Sequence, residues 1–183
     1  QRKVFLYLLS LFIFSSLLIS TEKIYSQTGP PVYKIVSINT KGNKNYDSKT
    51  IVSYTGLMVG QEIAIPSEET RDAVKKLWNL GLFSDIKLYI DKKFGTDAYL
   101  VIEVAEYPRI ESIEITGNDE LDTKDLETKV NMVKGEVITD QKLKDIEYNL
   151  IKYYAEEGYA LATVKTDMLV SASNEARIRI KIS

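Results

Sequence analysis

The chain of 183 residues contains no cysteine and no histidine. Without cysteine no disulfide can staple the fold and no lipoprotein anchor can be attached, so its modules must hold together by packing alone. Without histidine it lacks the commonest general base and the commonest metal ligand, which weighs heavily against an enzyme. It also lacks a glycine-rich phosphate loop, a Ser–His pair and a carboxylate pair with reason for a shifted pKa, so no catalytic, cofactor or metal site is expected. Neither charge sign dominates: 24 basic against 26 acidic residues leave a net charge of −2. No basic stripe runs along a predicted helix, and nucleic acid is not an expected partner. The acidic run Asp119-Glu120, Asp122, Asp125 and Glu127 crosses a turn and a helix N-terminus. Acids are favoured there by the helix dipole, so it reads as a solvated cap and not as a metal cluster. Glu156-Glu157 reads as a solvated helix end.

What is present begins with a basic Gln1-Arg2-Lys3, an uncharged apolar run from Val4 to Ile19, and Ser26 as a small residue where a peptidase can cut. This is the three-part layout of a secretory signal over residues 1–26, followed by a short leader over 27–31. A retained membrane anchor is the alternative, since the run falls just below the roughly 17–25 residues needed to span a bilayer.

Beyond it the sequence says nearly the same thing twice. Ser37-Ile38-Asn39-Thr40-Lys41-Gly42-Asn43 recurs as Ser112-Ile113-Glu114-Ile115-Thr116-Gly117-Asn118, and Val59-Gly60-Gln61-Glu62-Ile63 recurs as Lys134-Gly135-Glu136-Val137-Ile138. Gly81-Leu82-Phe83 returns as Gly158-Tyr159-Ala160. Three glycine-centred signatures in one order predict two copies of a small domain, residues 32–107 and 108–183, and a scaffold more than a single catalytic cleft.

Each copy reads as strand, helix, helix, strand, strand. In the first, Val32–Asn39 is β-rich and Gly42-Asn43 turns the chain. Asp47 or Ser48 caps a short helix with Ile51 and Tyr54 inward, and Ser67 caps a second carrying Ala73, Val74, Leu77 and Leu80 up to Gly81. Ile86, Leu88 and Ile90 alternate with polar neighbours, Lys92–Asp97 turns, and Tyr99–Val104 is apolar enough for a central strand. In the second copy, Thr123 and Thr139 are the expected caps, Leu143, Ile146 and Leu150 the inward face, and Ala162–Leu169 a strand. Ile178, Ile180 and Ile182 alternate with basic residues in the last strand. Trp78, beside Leu77 on the core helix, is expected to be buried or half-buried, and Tyr54, Tyr153, Tyr154 and Tyr159 to face the core. The fold class is α+β: tandem β-α-α-β-β modules, each a three-stranded sheet covered by two helices.

This order of elements, with Gly42-Asn43, Gly60-Gln61, the Leu77-x-x-Leu80-Gly81-Leu82-Phe83-Ser84-Asp85-Ile86 run and Gly158-Tyr159-x-x-Ala162-x-Val164, resembles POTRA (polypeptide-transport-associated) domains. Two in tandem behind an export signal resemble the N-terminus of the BamA outer-membrane assembly family. The resemblance covers about Val32 to Ser183. It implies a mixed sheet with the last strand in the middle, further POTRA domains, and a C-terminal transmembrane β-barrel that is not in this sequence. A fragment or truncated product is therefore expected.

The same resemblance implies a periplasmic scaffold at the outer membrane whose partners are unfolded outer-membrane proteins and accessory assembly lipoproteins, with no cofactor. With the second strand of each module at an edge, the expected binding residues are Ile86, Lys87, Leu88, Tyr89 and Ile90 in the first copy. In the second they are Val164, Lys165, Thr166, Asp167, Met168 and Leu169. An extended client would pair there by β-augmentation. The plainer alternative is that these are structural strands with solvated polar faces. Glu106, Tyr107, Pro108 and Arg109 form a short, Pro-stiffened junction expected to act as a restricted hinge with Tyr107 packed between the modules. A membrane-anchored division-type POTRA protein acting as an interaction hub is the rival reading.

Overall fold

A computed structural model describes residues 29–183. The expected export signal lies outside the described residues. From Val32 the chain runs through β1 (Val32–Lys41), α1 (Ser48–Thr55), β2 (Glu62–Ala64), α2 (Glu68–Trp78), β3 (Phe83–Phe94) and β4 (Asp97–Glu106). It then repeats the theme with β5 (Arg109–Thr116), α3 (Thr123–Val130), α4 (Asp140–Glu156), β6 (Val164–Val170) and β7 (Glu175–Ile182). Two sheets result, in the orders β2-β1-β4-β3 and β5-β7-β6. In each, the last strand is central, parallel to the first strand and antiparallel to the one before it.

The central position explains the apolar character of β4. Ala98, Leu100, Val101, Ile102 and Val104 are all buried, whereas the strand beside it alternates. In the first module two adjoining clusters form the core, one around Ile35, Leu57, Ala73 and Leu100, the other around Ile51, Leu77, Phe83 and Ile102. In the second a single cluster runs from Ile110 through Leu126, Leu150 and Tyr154 to Ile182. Gly42 and Gly117 close equivalent turns at φ +78° and +75°. A Cβ at either would stand 2.1 Å from a backbone oxygen, that of Val104 or of Ile182. Only glycine fits where β1 or β5 leaves its central partner.

Several expectations need correction. The first sheet has a fourth strand: Glu62–Ala64 pairs antiparallel with Val32–Lys34, whereas the second module keeps only a bridge between Arg109 and Val137 at the same place. The strand β3 runs on through Lys92–Phe94, so the turn is confined to Gly95-Thr96. The cap of α3 is Asp122, not Thr123: its carboxylate accepts from the Lys124 N–H. Asp47, Ser67 and Thr139 cap the other three helices. Trp78 is 42% exposed and Tyr54 50%. In α1 the inward residue after Ile51 is Thr55, one helical turn on, while Tyr54 is rotated towards solvent. Tyr154 is buried as expected, Tyr153 half-buried, and Tyr159 37% exposed.

Candidate functional site: two sheet edges and a tied junction

Strands β3 and β6 each stand at the outer margin of their sheet, with β4 and β7 on their inner sides. Both sequence-nominated segments, Ile86–Ile90 and Val164–Leu169, therefore lie on edges. Which backbone groups face outward follows from the ladders. Thr163 and Ser183 exchange both hydrogen bonds, at 2.6 and 3.0 Å, and Val164 pairs with Ile182 as the next residue along. In an antiparallel pair, hydrogen-bonded and non-hydrogen-bonded positions alternate, so Val164, Thr166 and Met168 turn their N–H and C=O away from β7. In the first module the Val104 carbonyl faces β1, where it meets Gly42. Its partner across the sheet is Ile86, so Ile86, Leu88 and Ile90 turn their backbone groups outward.

At Leu88 and Thr166, equivalent by their pairing with Ile102 and Ile180, the two edges differ. Beside Leu88 a cleft of about 310 Å³ opens, lined by Ile65, Pro66, Thr70, Val74, Leu88 and Leu100. The Thr70 hydroxyl is occupied within the capping box, accepting from the Ser67 N–H and donating to the Ser67 carbonyl, both at 2.9 Å. Beside Thr166, by contrast, Glu147 of α4 reaches across. Its Oε1 accepts from the Thr166 N–H at 2.6 Å and from the Thr166 hydroxyl at 2.8 Å. Thr70 and Glu147 stand equally far before Gly81 and Gly158, the glycines that end their helices.

The outward face of β3 is charged. Lys87 pairs with Asp85 at 2.9 Å and approaches Glu103 at 4.0 Å, and Tyr89 donates to Glu103 at 3.0 Å. The Lys87 ammonium holds the Asp85 carboxyl below its ordinary pKa. On β6, Asp167 pairs with Arg179 of β7. Among the described residues no group of three or more acidic side chains is arranged to hold a metal ion.

The junction is cross-tied. Glu106, only 8% exposed, ends β4 and accepts from the N–H groups of Lys44, Asn45 and Tyr46 and from the Asn45 side-chain amide. Burial pushes its pKa up, but these donors prevail and hold it below the ordinary glutamate value. It thus anchors a loop of the first module. From the second module Asn174, at φ +65°, donates to the carbonyls of Glu106 and Tyr107 at 3.3 and 3.2 Å. Lys44 donates to the Ala172 carbonyl at 3.2 Å, and the Arg109 guanidinium lies 5.5 Å from the Tyr46 ring centre while donating to its hydroxyl. Tyr107 is half-buried and meets the second module through its carbonyl. Asn174, Tyr46 and Glu147 were not legible as site residues: a polar turn, a lone tyrosine and a helical glutamate are commonplace in sequence.

Each copy is a two-helix layer on a small mixed sheet with one long strand at its edge. Comparison with known proteins places it. Residues 108–183 match the POTRA family, described as a surface antigen variable number repeat. Over 130 residues the chain is 28% identical to the outer membrane protein assembly factor BamA of Nitratidesulfovibrio vulgaris, covering 71% of this chain and 16% of that protein. Over 106 residues it is 26% identical to a putative outer membrane protein assembly factor of Treponema pallidum, covering 55% of this chain and 12% of that one. The fold is shared with the N-terminal domain of Omp85 from the cyanobacterium Thermosynechococcus elongatus, with a TM-score of 0.53 at 14% identity over 83% of this chain and 63% of that one. Residues 108–183 thus match a POTRA domain, and the chain is similar in sequence to outer-membrane assembly factors of the BamA type. It spans less than a fifth of the curated relatives it matches.

Proposed function

We propose that this chain is the periplasmic POTRA arm of an outer-membrane β-barrel assembly factor, divided into modules at 32–107 and 108–183. It receives unfolded outer-membrane proteins and accessory subunits and passes them towards insertion. The observation that carries this reading is the pair of outward-facing backbone rows on β3 and β6, in a chain similar in sequence to BamA. An extended segment that alternates apolar and polar residues pairs with such a row through main-chain hydrogen bonds, which give affinity across many sequences and little side-chain specificity. The residues engaged are Ile86–Ile90 and Val164–Leu169. Export through residues 1–26 would bring the modules to the compartment where such clients are unfolded. Glu106–Arg109, tied by Asn174 and the Tyr46–Arg109 contact, act as a restricted hinge that keeps the edges in a limited range of relative positions.

The test is a proline at an outward-facing position. Lys87 is unsuitable, because its position pairs inward with Glu103 and proline there would cut the ladder. Leu88→Pro and Thr166→Pro each remove an outward N–H and leave the ladder whole. With folding checked by circular dichroism, Leu88→Pro should weaken capture of an unfolded outer-membrane protein, and the double variant should weaken it most. Unchanged capture by the double variant would overturn the edge reading.

A further inference from the structure

The two edges are not equally available. On β6 the outward N–H of Thr166 is already donated, at 2.6 Å, to a carboxylate oxygen on the module's own helix. A strand adding to this edge would bring a backbone carbonyl to that N–H. Glu147 Oε1 therefore stands where the partner's oxygen would, and its second bond, to the Thr166 hydroxyl, holds it there. A charged acceptor makes a hydrogen bond roughly twice as strong as a neutral one, so an incoming carbonyl is the weaker competitor. On β3 the equivalent helix position is Thr70, whose short side chain is committed to Ser67. No side chain among the described residues bonds the Leu88 N–H, and beside it lies the cleft of about 310 Å³ walled by Ile65, Val74, Leu88 and Leu100. Apart from Thr70, Arg71 and Tyr89 its lining is apolar, and it suits one apolar side chain of an added strand.

We propose that Glu147 is an intramolecular latch on the second module's edge. The first module's β3 is then the standing seat for an extended polypeptide, with an apolar side chain of that segment in the α2–β3 cleft. Strand β6 accepts a segment only when the carboxylate is displaced. This rests on the edge-docking reading, and the two can fail separately.

Amide hydrogen exchange of the chain, read by NMR, tests the latch without any partner. The Thr166 amide should be protected in the wild type and exchange about tenfold faster in Glu147→Ala, the loss expected for one hydrogen bond to a charged acceptor. The inward amides of Lys165 and Asp167 should be unchanged. Glu147→Gln, which keeps a carbonyl acceptor, should retain most of the protection. Equal Thr166 exchange in wild type and Glu147→Ala would overturn the latch. A second arm titrates a blocked peptide of alternating valine and threonine with a lysine at each end. Shifts should appear at Ile86–Ile90 in the wild type and extend to Val164–Met168 in Glu147→Ala. Shifts on β6 as large in the wild type as in the variant would also overturn the latch. Faster Thr166 exchange with no peptide shifts on either edge would support the latch and overturn the docking reading.

Discussion

In the first module Phe83, the first residue of β3, enters the core beside Leu77; in the second the corresponding pair is Ala160 and Tyr154. The ring has moved from strand to helix. Phe83 is 2% exposed and meets the Tyr46 ring edge-on at 6.0 Å, closing the end of its module. Tyr154 is equally buried, yet its hydroxyl has no hydrogen-bond partner among the described residues, and beside it lies a cavity of about 410 Å³ lined by residues that include Gly117, Tyr159, Ala160 and Leu161. Leu161 is 94% exposed. The difference extends to the adjoining loop. In the first module the buried Glu106 carboxylate gathers three N–H groups from Lys44–Tyr46, and the neighbouring module packs over that end. Two copies of one frame are thus closed differently: the first by an aromatic plug and a neutralised loop, the second more openly at its far end and more tightly at its β6 edge.

The strongest way to break the comparison is to remove the plug. Phe83→Ala should cost the first module about 3–5 kcal/mol, the range for deleting a buried aromatic ring. The chain has one tryptophan, Trp78, which lies on α2 and reports the first module alone. Its fluorescence transition in urea should fall to lower denaturant while the exchange protection of β7 amides stays. Coincident loss of both would show that the modules unfold as one unit and that their closures cannot be compared separately.

Next in size is Glu106→Gln, expected to cost about 1–3 kcal/mol because the surrounding N–H groups lose their charged acceptor. Its pH signature has a definite sign. A carboxyl whose folded pKa is lowered contributes stability fully above its unfolded value, near about 4.3, and loses it as pH falls through the folded value. Acidification through that window should therefore shift the Trp78 transition in the wild type more than in Glu106→Gln. Equal shifts would assign the acid sensitivity to other carboxyls.

The smallest effect is expected at Tyr154. Replacing it by phenylalanine removes an unpartnered hydroxyl and keeps the ring, so thermal unfolding of the second module should be unchanged or stabilised by about 1 kcal/mol. A clear loss of stability would mean that the hydroxyl is satisfied by water in the adjoining cavity.

Much of this architecture was legible in the residues. The paired glycine signatures marked the two copies, and Gly42 and Gly117 proved to be positions where backbone passes too close for a Cβ. Serine, threonine and aspartate ahead of apolar periodicity located the helix starts, with an error of one residue at Asp122. An unbroken apolar run marked the central β4, but the central β7 alternates as strictly as an edge, so the edge strands followed only from the resemblance to POTRA domains. The failures were of rotation and pairing. Tyr54 and Trp78 sat at plausible inward spacings, but a short helix exposes most of its circumference, and a rotation of one residue exchanges core for solvent. The three-residue β2 was hidden because so short a strand carries no period of its own; it exists because β1 offers it a partner.

By itself the sequence determined the twofold repeat and the order and type of its main elements. These depend on local periodicity and on glycine conformations, which neighbouring residues dictate. Only the tertiary structure decided which edge groups are free. Glu147 and Thr166 are 19 residues apart, Glu106 and Lys44 62, and Glu106 and Asn174 68. A hydrogen bond between such residues depends on how helix and sheet pack, and no local pattern in the chain encodes that distance.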